Sequence, residues 1–162
     1  GAIGIKASMA EGIRLAKETG FEGIDISIGE VEQIAAERSP EAVREMLAAA
    51  GLAPGAWGLP VDWRGEESKY REGLAKLPRL AALGQSIGAT RVNMWLMSAS
   101  DEREFDENFR FHVERFTPIA RILKENGCRL GLEFLGPKTI RAGKKYDFIY
   151  TAPHSSSMPD AV

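Results

Sequence analysis

The sequence predicts an α/β fold of the (β/α)-barrel type, an incomplete barrel of five parallel strands and four helices. Three observations carry this reading. Short strand-like runs alternate with long helical patterns along the chain, as in folds that cover a sheet with helices. The last four runs begin near Gly23, Ala53, Arg91 and Arg129, so successive units are 30, 38 and 38 residues long, which suits strands joined by the helical crossovers that parallel pairing requires. Third, strand alternation puts Lys6, Asp25, Ser27, Asn93, Trp95 and Glu133 opposite the helix-packing residues, so that polar groups from four strands share one face, as at the mouth of a barrel. The alternative is an open flavodoxin-like sheet. Five strands would complete that sheet but leave an eightfold barrel about three units short. The turn IKASMAEG after the first strand, however, lacks the glycine-rich phosphate cradle of an open nucleotide-binding sheet.

The elements follow in order. Ala2 to Ala7 is the first strand; Met9, Ile13 and Ala16 stripe the first helix, which Gly20 stops in a left-handed cap. GFEGIDISI reads as the second strand, with Ile24, Ile26 and Ile28 on one face and Asp25 and Ser27 on the other. Ser39 and Pro40 read as N-cap and first helical position, since a capping oxygen satisfies free amides and proline has none to satisfy. Val43, Leu47 and Ala50 bury that helix, and Gly51 ends it. APGAWGL is a weak third strand, placed mainly by the alternation because its proline and glycines lower strand propensity. Tyr70, Leu74, Leu77, Ala81 and Ile87 carry a helix that Pro78 should kink. RVNMWLM is the fourth strand. Phe109, Val113, Phe116, Ala120 and Leu123 stripe the longest helix, with Pro118 inside it, and RLGLEFL is the fifth strand. Residues 1–151 thus form a partial barrel domain. The tail 152–162, with two prolines and three consecutive serines, is expected to be disordered.

Composition excludes several function classes. Twenty-one basic against 23 acidic residues give a net charge of −2, with no field to attract a nucleic acid. The single cysteine, Cys128, excludes an internal disulfide or a thiolate metal cluster and fits a reducing, cytoplasmic setting. No window approaches the roughly 18 apolar residues of a membrane span.

The segments GFEGIDI, GLPVDWRG, GATRVNMW and above all LGLEFLGPKTIRAGKKYDFIYT, in this order and spacing, resemble sugar phosphate isomerases/epimerases of the xylose-isomerase-like TIM barrel superfamily. The likeness runs from about Gly1 to Thr151 and stops there, as it would in a truncated product. It implies metal-assisted isomerisation or epimerisation of a keto sugar or sugar phosphate by proton transfer next to a carbonyl, with a divalent metal (Mg, Mn, Co or Zn). It also implies that Glu133 is the first metal ligand and a candidate catalytic base. The family's other ligands, an Asp, a His and a Glu, come from strands six to eight, which have no counterpart in this sequence. The short chain is therefore expected to bind metal weakly or not at all and to be inactive alone. The alternative is a non-catalytic half-barrel that self-associates through its exposed fifth-strand edge. The AP-endonuclease branch of the superfamily is disfavoured by the two histidines and the charge of −2.

Lys6, Trp57, Asn93, Trp95 and Lys138 are the candidate substrate-binding residues. The tryptophans and lysines among them have a second reading. Trp57 and Trp95 serve equally as stacking faces for a sugar or as core aromatics. Lys138, with Arg141, Lys144 and Lys145, reads as a phosphate clamp or as a solvated basic loop; Glu133 reads alternatively as a buried carboxylate paired with Lys6 or Lys138. His112, beside the Phe109 and Val113 stripe, reads as a half-exposed structural histidine; His154 and Asp160 read as replacement metal ligands or, as favoured here, as part of the disordered Ser/Pro-rich tail.

Overall fold

In the computed structural model, which describes residues 7–151, helix α1 (Met9–Glu18) starts where the Ser8 hydroxyl accepts the Glu11 amide and buries Met9 and Ile13. It stops at Gly20, whose φ of 77° only glycine adopts without strain. The expected first strand and the tail 152–162 lie outside the described residues, Ala7 excepted. Strand β1 is only Gly23–Ile24, because Ser27, expected on a strand face, caps a helix instead. Its hydroxyl accepts the Glu30 amide, and α2 (Ile28–Glu37) follows, burying Ile28 and Val31. The Ser27-x-x-Glu30 spacing was the legible sign of this unforeseen helix. Helix α3 (Pro40–Ala50) has the expected Ser39 cap, Pro40 start and left-handed Gly51 end.

The third strand splits at Gly55. A Cβ there would stand 2.5 Å from the Asp25 Oδ1, and that carboxylate accepts the Ala56 amide at 2.9 Å. Asp25 thus fastens a junction and leaves the inward polar set. The halves are β2 (Ala53–Pro54), parallel to β1, and β3 (Ala56–Gly58), parallel to β4 (Arg91–Leu96). The strand β6 (Arg129–Phe134) pairs with β4 in parallel over six residues. The order β3-β4-β6 leaves the outer edge of β6 without a partner among the described residues, so the chain is a partial α/β barrel wall, and the sheet does not close. A short antiparallel clip, β5 (Ala99–Ser100) on β7 (Tyr146–Asp147), was not foreseen. It ties the loop after β4 to the segment that follows the short helix α6 (Lys138–Arg141).

Two long helices cover the sheet, α4 (Glu67–Ser86) and α5 (Phe105–Glu125), each running through its proline. None among the described residues is long and apolar enough to cross a membrane. Val92 and Leu96 of β4 pack with Leu77, Ala81, Phe116, Ile119 and Leu123 in the core. Along the first half of α5 the buried positions are Asn108 and His112, one residue before the expected Phe109 and Val113. The aromatic cluster of Trp63 and Phe148 draws that face inward, so His112 is structural but buried, at 5 % exposure, and not half-exposed.

Trp57 belongs to this core and not to a substrate surface. It pairs in register with Val92, faces the helices, is 1 % exposed and donates its indole N–H to the Ala89 carbonyl at 2.9 Å. A Cβ on Gly84 would sit 2.9 Å from that indole nitrogen and 3.0 Å from the Ala89 oxygen. Gly84→Ala is therefore expected to cost about 1–3 kcal/mol by overpacking, read as a lowered urea midpoint at constant m-value; an unchanged midpoint would mean that the ring has room to move.

Candidate active-site wall

Strand periodicity builds the site. On β4 and β6, Val92, Leu96, Leu130 and Leu132 turn toward the helices, so Asn93, Trp95, Gly131 and Glu133 turn to the open face. Register aligns Gly58, Asn93 and Gly131 in one row and Trp95 with Glu133 in the next, neighbouring strands lying about 4.8 Å apart. The two glycines leave Asn93 as the one side chain of its row. The result is a shallow floor below an exposed indole and an exposed carboxylate, at the C-terminal ends of parallel strands. Active sites of barrels gather at that end. Trp95 is 46 % exposed.

The loop after β3 supplies residues that the sequence reading passed over. Trp63 is buried, and the Arg64 guanidinium lies 3.9 Å from the centre of its ring and 4.4 Å from that of Trp95. An Arg64 Nη2 proton is donated to the Trp95 carbonyl at 2.8 Å. Asp62 accepts the Gly65 amide and shapes the turn. Partial burial pulls the Arg64 pKa below its ordinary value, and nearby Asp62 partly opposes that shift. The legible sign was Trp63-Arg64 in the loop after a strand's C-terminal end.

The other candidates fall elsewhere. Lys6, His154 and Asp160 lie outside the described residues. Lys138 opens α6 and is exposed; among the described residues it makes no ion pair with Glu133, which is itself exposed and not buried against a lysine. Arg141 stacks 3.9 Å from the Tyr150 ring centre and reaches Asp147 at 3.7 Å. Lys144 pairs with Asp101 at 2.5 Å, and the Lys145 amide bonds the same carboxylate. Those bonds, that of Lys144 first, hold the Asp101 carboxyl below the usual range. Arg141, Lys144 and the Lys145 backbone thus secure the clip between the two loops.

Among the described residues no group of three or more His, Cys, Asp or Glu side chains is placed to hold a metal ion. Glu133 alone offers too few donors for a divalent cation, which takes about six oxygens. The described residues therefore do not form a metal site.

Comparison with known proteins fits this geometry. The family model described as xylose isomerase-like TIM barrel matches residues 13–162, continuing past Thr151, where the motif likeness ends. A solved xylose isomerase domain protein from Alicyclobacillus acidocaldarius superposes with a TM-score of 0.84 at 28% identity, over 96% of this chain and 55% of that one. The apo 3-keto-D-glucoside 4-epimerase of E. coli superposes with a TM-score of 0.61 at 17% identity, over 80% and 52%. The IOLI protein with a bound zinc atom gives 0.65 at 17% identity, over 80% and 48%. At these last two identities the likeness concerns the fold. The chain spans about half the length of these solved relatives. No curated protein sequence is significantly similar to it.

Proposed function

The chain belongs to the xylose isomerase-like TIM barrel family, and on that premise we propose that it forms one wall of a site that isomerises or epimerises a keto sugar or sugar phosphate by proton transfer next to the carbonyl. The observation that carries this reading is Glu133, exposed beside Trp95 above the Gly58, Asn93 and Gly131 row at the strand ends. The Trp95 face suits the C–H side of a sugar ring. The Asn93 amide both donates to and accepts from hydroxyls. Glu133 takes the proton from the carbon next to the carbonyl, the role a positioned carboxylate fills in general base catalysis. The E. coli neighbour is a keto-glucoside epimerase and the IOLI neighbour holds zinc, which supports sugar chemistry and a divalent metal in the family. Among the described residues of this chain Glu133 is the one carboxylate on that face, too few donors to hold such a metal. A reducing cytoplasm suits its lone, buried cysteine thiol.

One carboxylate removes a proton but does not by itself stabilise the enediolate or reprotonate it on the other face. The purified 162-residue chain is therefore expected to show little or no exchange of solvent deuterium into D-fructose or D-fructose 6-phosphate with Mg²⁺ or Mn²⁺ added. It is nevertheless expected to bind these sugars weakly, with quenching of tryptophan emission that Trp95→Ala removes and Asn93→Ala and Glu133→Gln weaken. Quenching that all three variants leave intact would remove the site from this face. A clean monomer with metal-dependent exchange abolished by Glu133→Gln would make the short chain a complete enzyme.

A second reading, a non-catalytic half-barrel that self-associates, is favoured by the outer edge of β6, which has no partner among the described residues, and by the exposed Trp95. Sedimentation decides it: a dimer or larger assembly is expected, and a monomer at all concentrations removes it.

A further inference from the structure

Arg64, which stacks on Trp95, also lines a cavity of about 320 Å³ together with Trp63, Ser100, Asp101, Arg103 and His112. Its chemistry is rich in donors. Arg64 is held between two indole faces, donates to the Trp95 carbonyl, and among the described residues has no carboxylate within ion-pair distance. Arg103 lies 4.3 Å from the Phe111 ring centre and has one carboxylate neighbour, Glu102, at 3.4 Å, whose side chain is largely in water. A guanidinium offers five N–H donors in a planar fork, so most of both forks remain unused by these contacts. The Trp63 indole N–H lies buried without a partner among the described residues, although buried donors are nearly always satisfied.

The acidic side chains of the lining do not cancel this. Asp101 is occupied by Lys144 and the Lys145 amide, and Glu102, also in the lining, meets only Arg103, at 3.4 Å, with its side chain largely in water. Ser100 accepts the Glu102 and Arg103 amides, which leaves its hydroxyl proton to donate. His112 donates from Nδ1 to the Asn108 carbonyl at 2.7 Å, which makes Nε2 the ring's acceptor. Two guanidinium groups, an indole N–H without a partner among the described residues, a hydroxyl proton and the His112 ring acceptor form a set that an oxyanion bearing a neighbouring hydroxyl would satisfy.

We propose that this cavity binds the anionic end of the substrate, a phosphate or carboxylate held by Arg64 and Arg103, while the keto-sugar portion crosses the Trp95 face toward Glu133. The anion site stands on the cavity's own residues; the sugar half of the statement rests on the proton-transfer reading above. Arg64 then has two tasks. It orients Trp95 by stacking and by its bond to the Trp95 carbonyl, and it anchors the charge.

The test uses the full chain with three probes: inorganic phosphate, D-gluconate, and sorbitol as a neutral control, read by tryptophan emission because Trp63 and Trp95 flank Arg64. A saturable change with an anion and none with sorbitol is expected. Arg64→Met and Arg103→Met should each weaken it by about tenfold, as loss of a charged hydrogen-bond pair does, and Glu133→Gln should leave the inorganic phosphate response within about twofold of the parent. Near-UV circular dichroism checks that each variant keeps its aromatic packing, and Arg103→Met, away from the tryptophan stack, serves if Arg64→Met does not fold. Preference for phosphate supports a sugar phosphate, and preference for gluconate supports a sugar acid. No saturable response to either anion, an equal response to sorbitol, or a response undiminished in both arginine variants overturns the proposal. Quenching by D-fructose distinguishes it from the sugar face itself. Quenching by this neutral keto sugar without anion binding overturns the cavity assignment alone, whereas anion binding without quenching by D-fructose supports the cavity and counts against the sugar site on the Trp95 face.

Discussion

Trp57→Ala is expected to lower the unfolding free energy by about 3–5 kcal/mol, the range for deleting a large aromatic from a packed core, whereas Trp95→Ala changes it by less than about 1 kcal/mol. The two indoles stand on neighbouring strands. Trp57 pairs with Val92 on the helix-facing side at 1 % exposure and satisfies the Ala89 carbonyl, while Trp95 pairs with Glu133 on the open side at 46 %. Truncating Trp57 opens a void and leaves a buried carbonyl short of its donor. Truncating Trp95 removes a surface that water already reaches. Urea unfolding at constant m-value measures the first effect, and the sugar quenching described above shows the reverse order. Equal losses in the two variants would mean that Trp95 packs against something beyond the described residues.

Acidification from pH 6.5 to 4 is expected to remove up to about 3 kcal/mol of stability through His112 alone. Burial pushes its pKa down to about 4, the bond to the Asn108 carbonyl offsets this in part, and Arg64 and Arg103 add repulsion. In the unfolded chain the imidazole titrates near 6.5, so over this window the unfolded state binds the proton and the folded state refuses it. The stabilisation is complete above pH 6.5, falls between 6.5 and 4, and has no further slope from this residue below 4. Surface carboxylates do not confuse the reading. Glu67, hydrogen-bonded to Arg71 and then Arg115, and Glu72, bonded to Lys76, have lowered pKa values, so their contribution is kept above about pH 4.5 and lost only as the pH falls through those lower values. His112→Gln should flatten the stability profile between pH 5 and 6.5. A variant with the parent's slope would assign that slope to another group.

Much of this architecture is legible in local sequence. Ser39, Pro40 and Gly51 mark the ends of α3 because capping and left-handed closure are local chemistry, settled within a few residues. The sharing of one face by Asn93, Trp95 and Glu133 follows from the twofold period of a strand, a consequence of backbone geometry. Where two local signals competed, the reading went astray. The alternating isoleucines after Gly23 suggest a strand through Ile28, but the Ser27 hydroxyl accepts the Glu30 amide and opens α2 at Ile28.

Local sequence carries the main alternation of strands and helices, the Ser39 and Gly51 caps of α3 and the parity of each regular strand. Contacts between distant segments set which residues that parity exposes and which it buries. Trp57 turned to the helices because Asp25 breaks the third strand at Gly55 and the remaining half takes its register from β4. His112 became neutral and buried because Trp63, 49 positions earlier, and Phe148, 36 later, close over it. Arg64 became part of the candidate site because the ring of Trp95, on another strand, completes its stack. Solvent exclusion and register are set by contacts between segments far apart in the chain, and no local pattern of residues encodes which distant side chain will arrive.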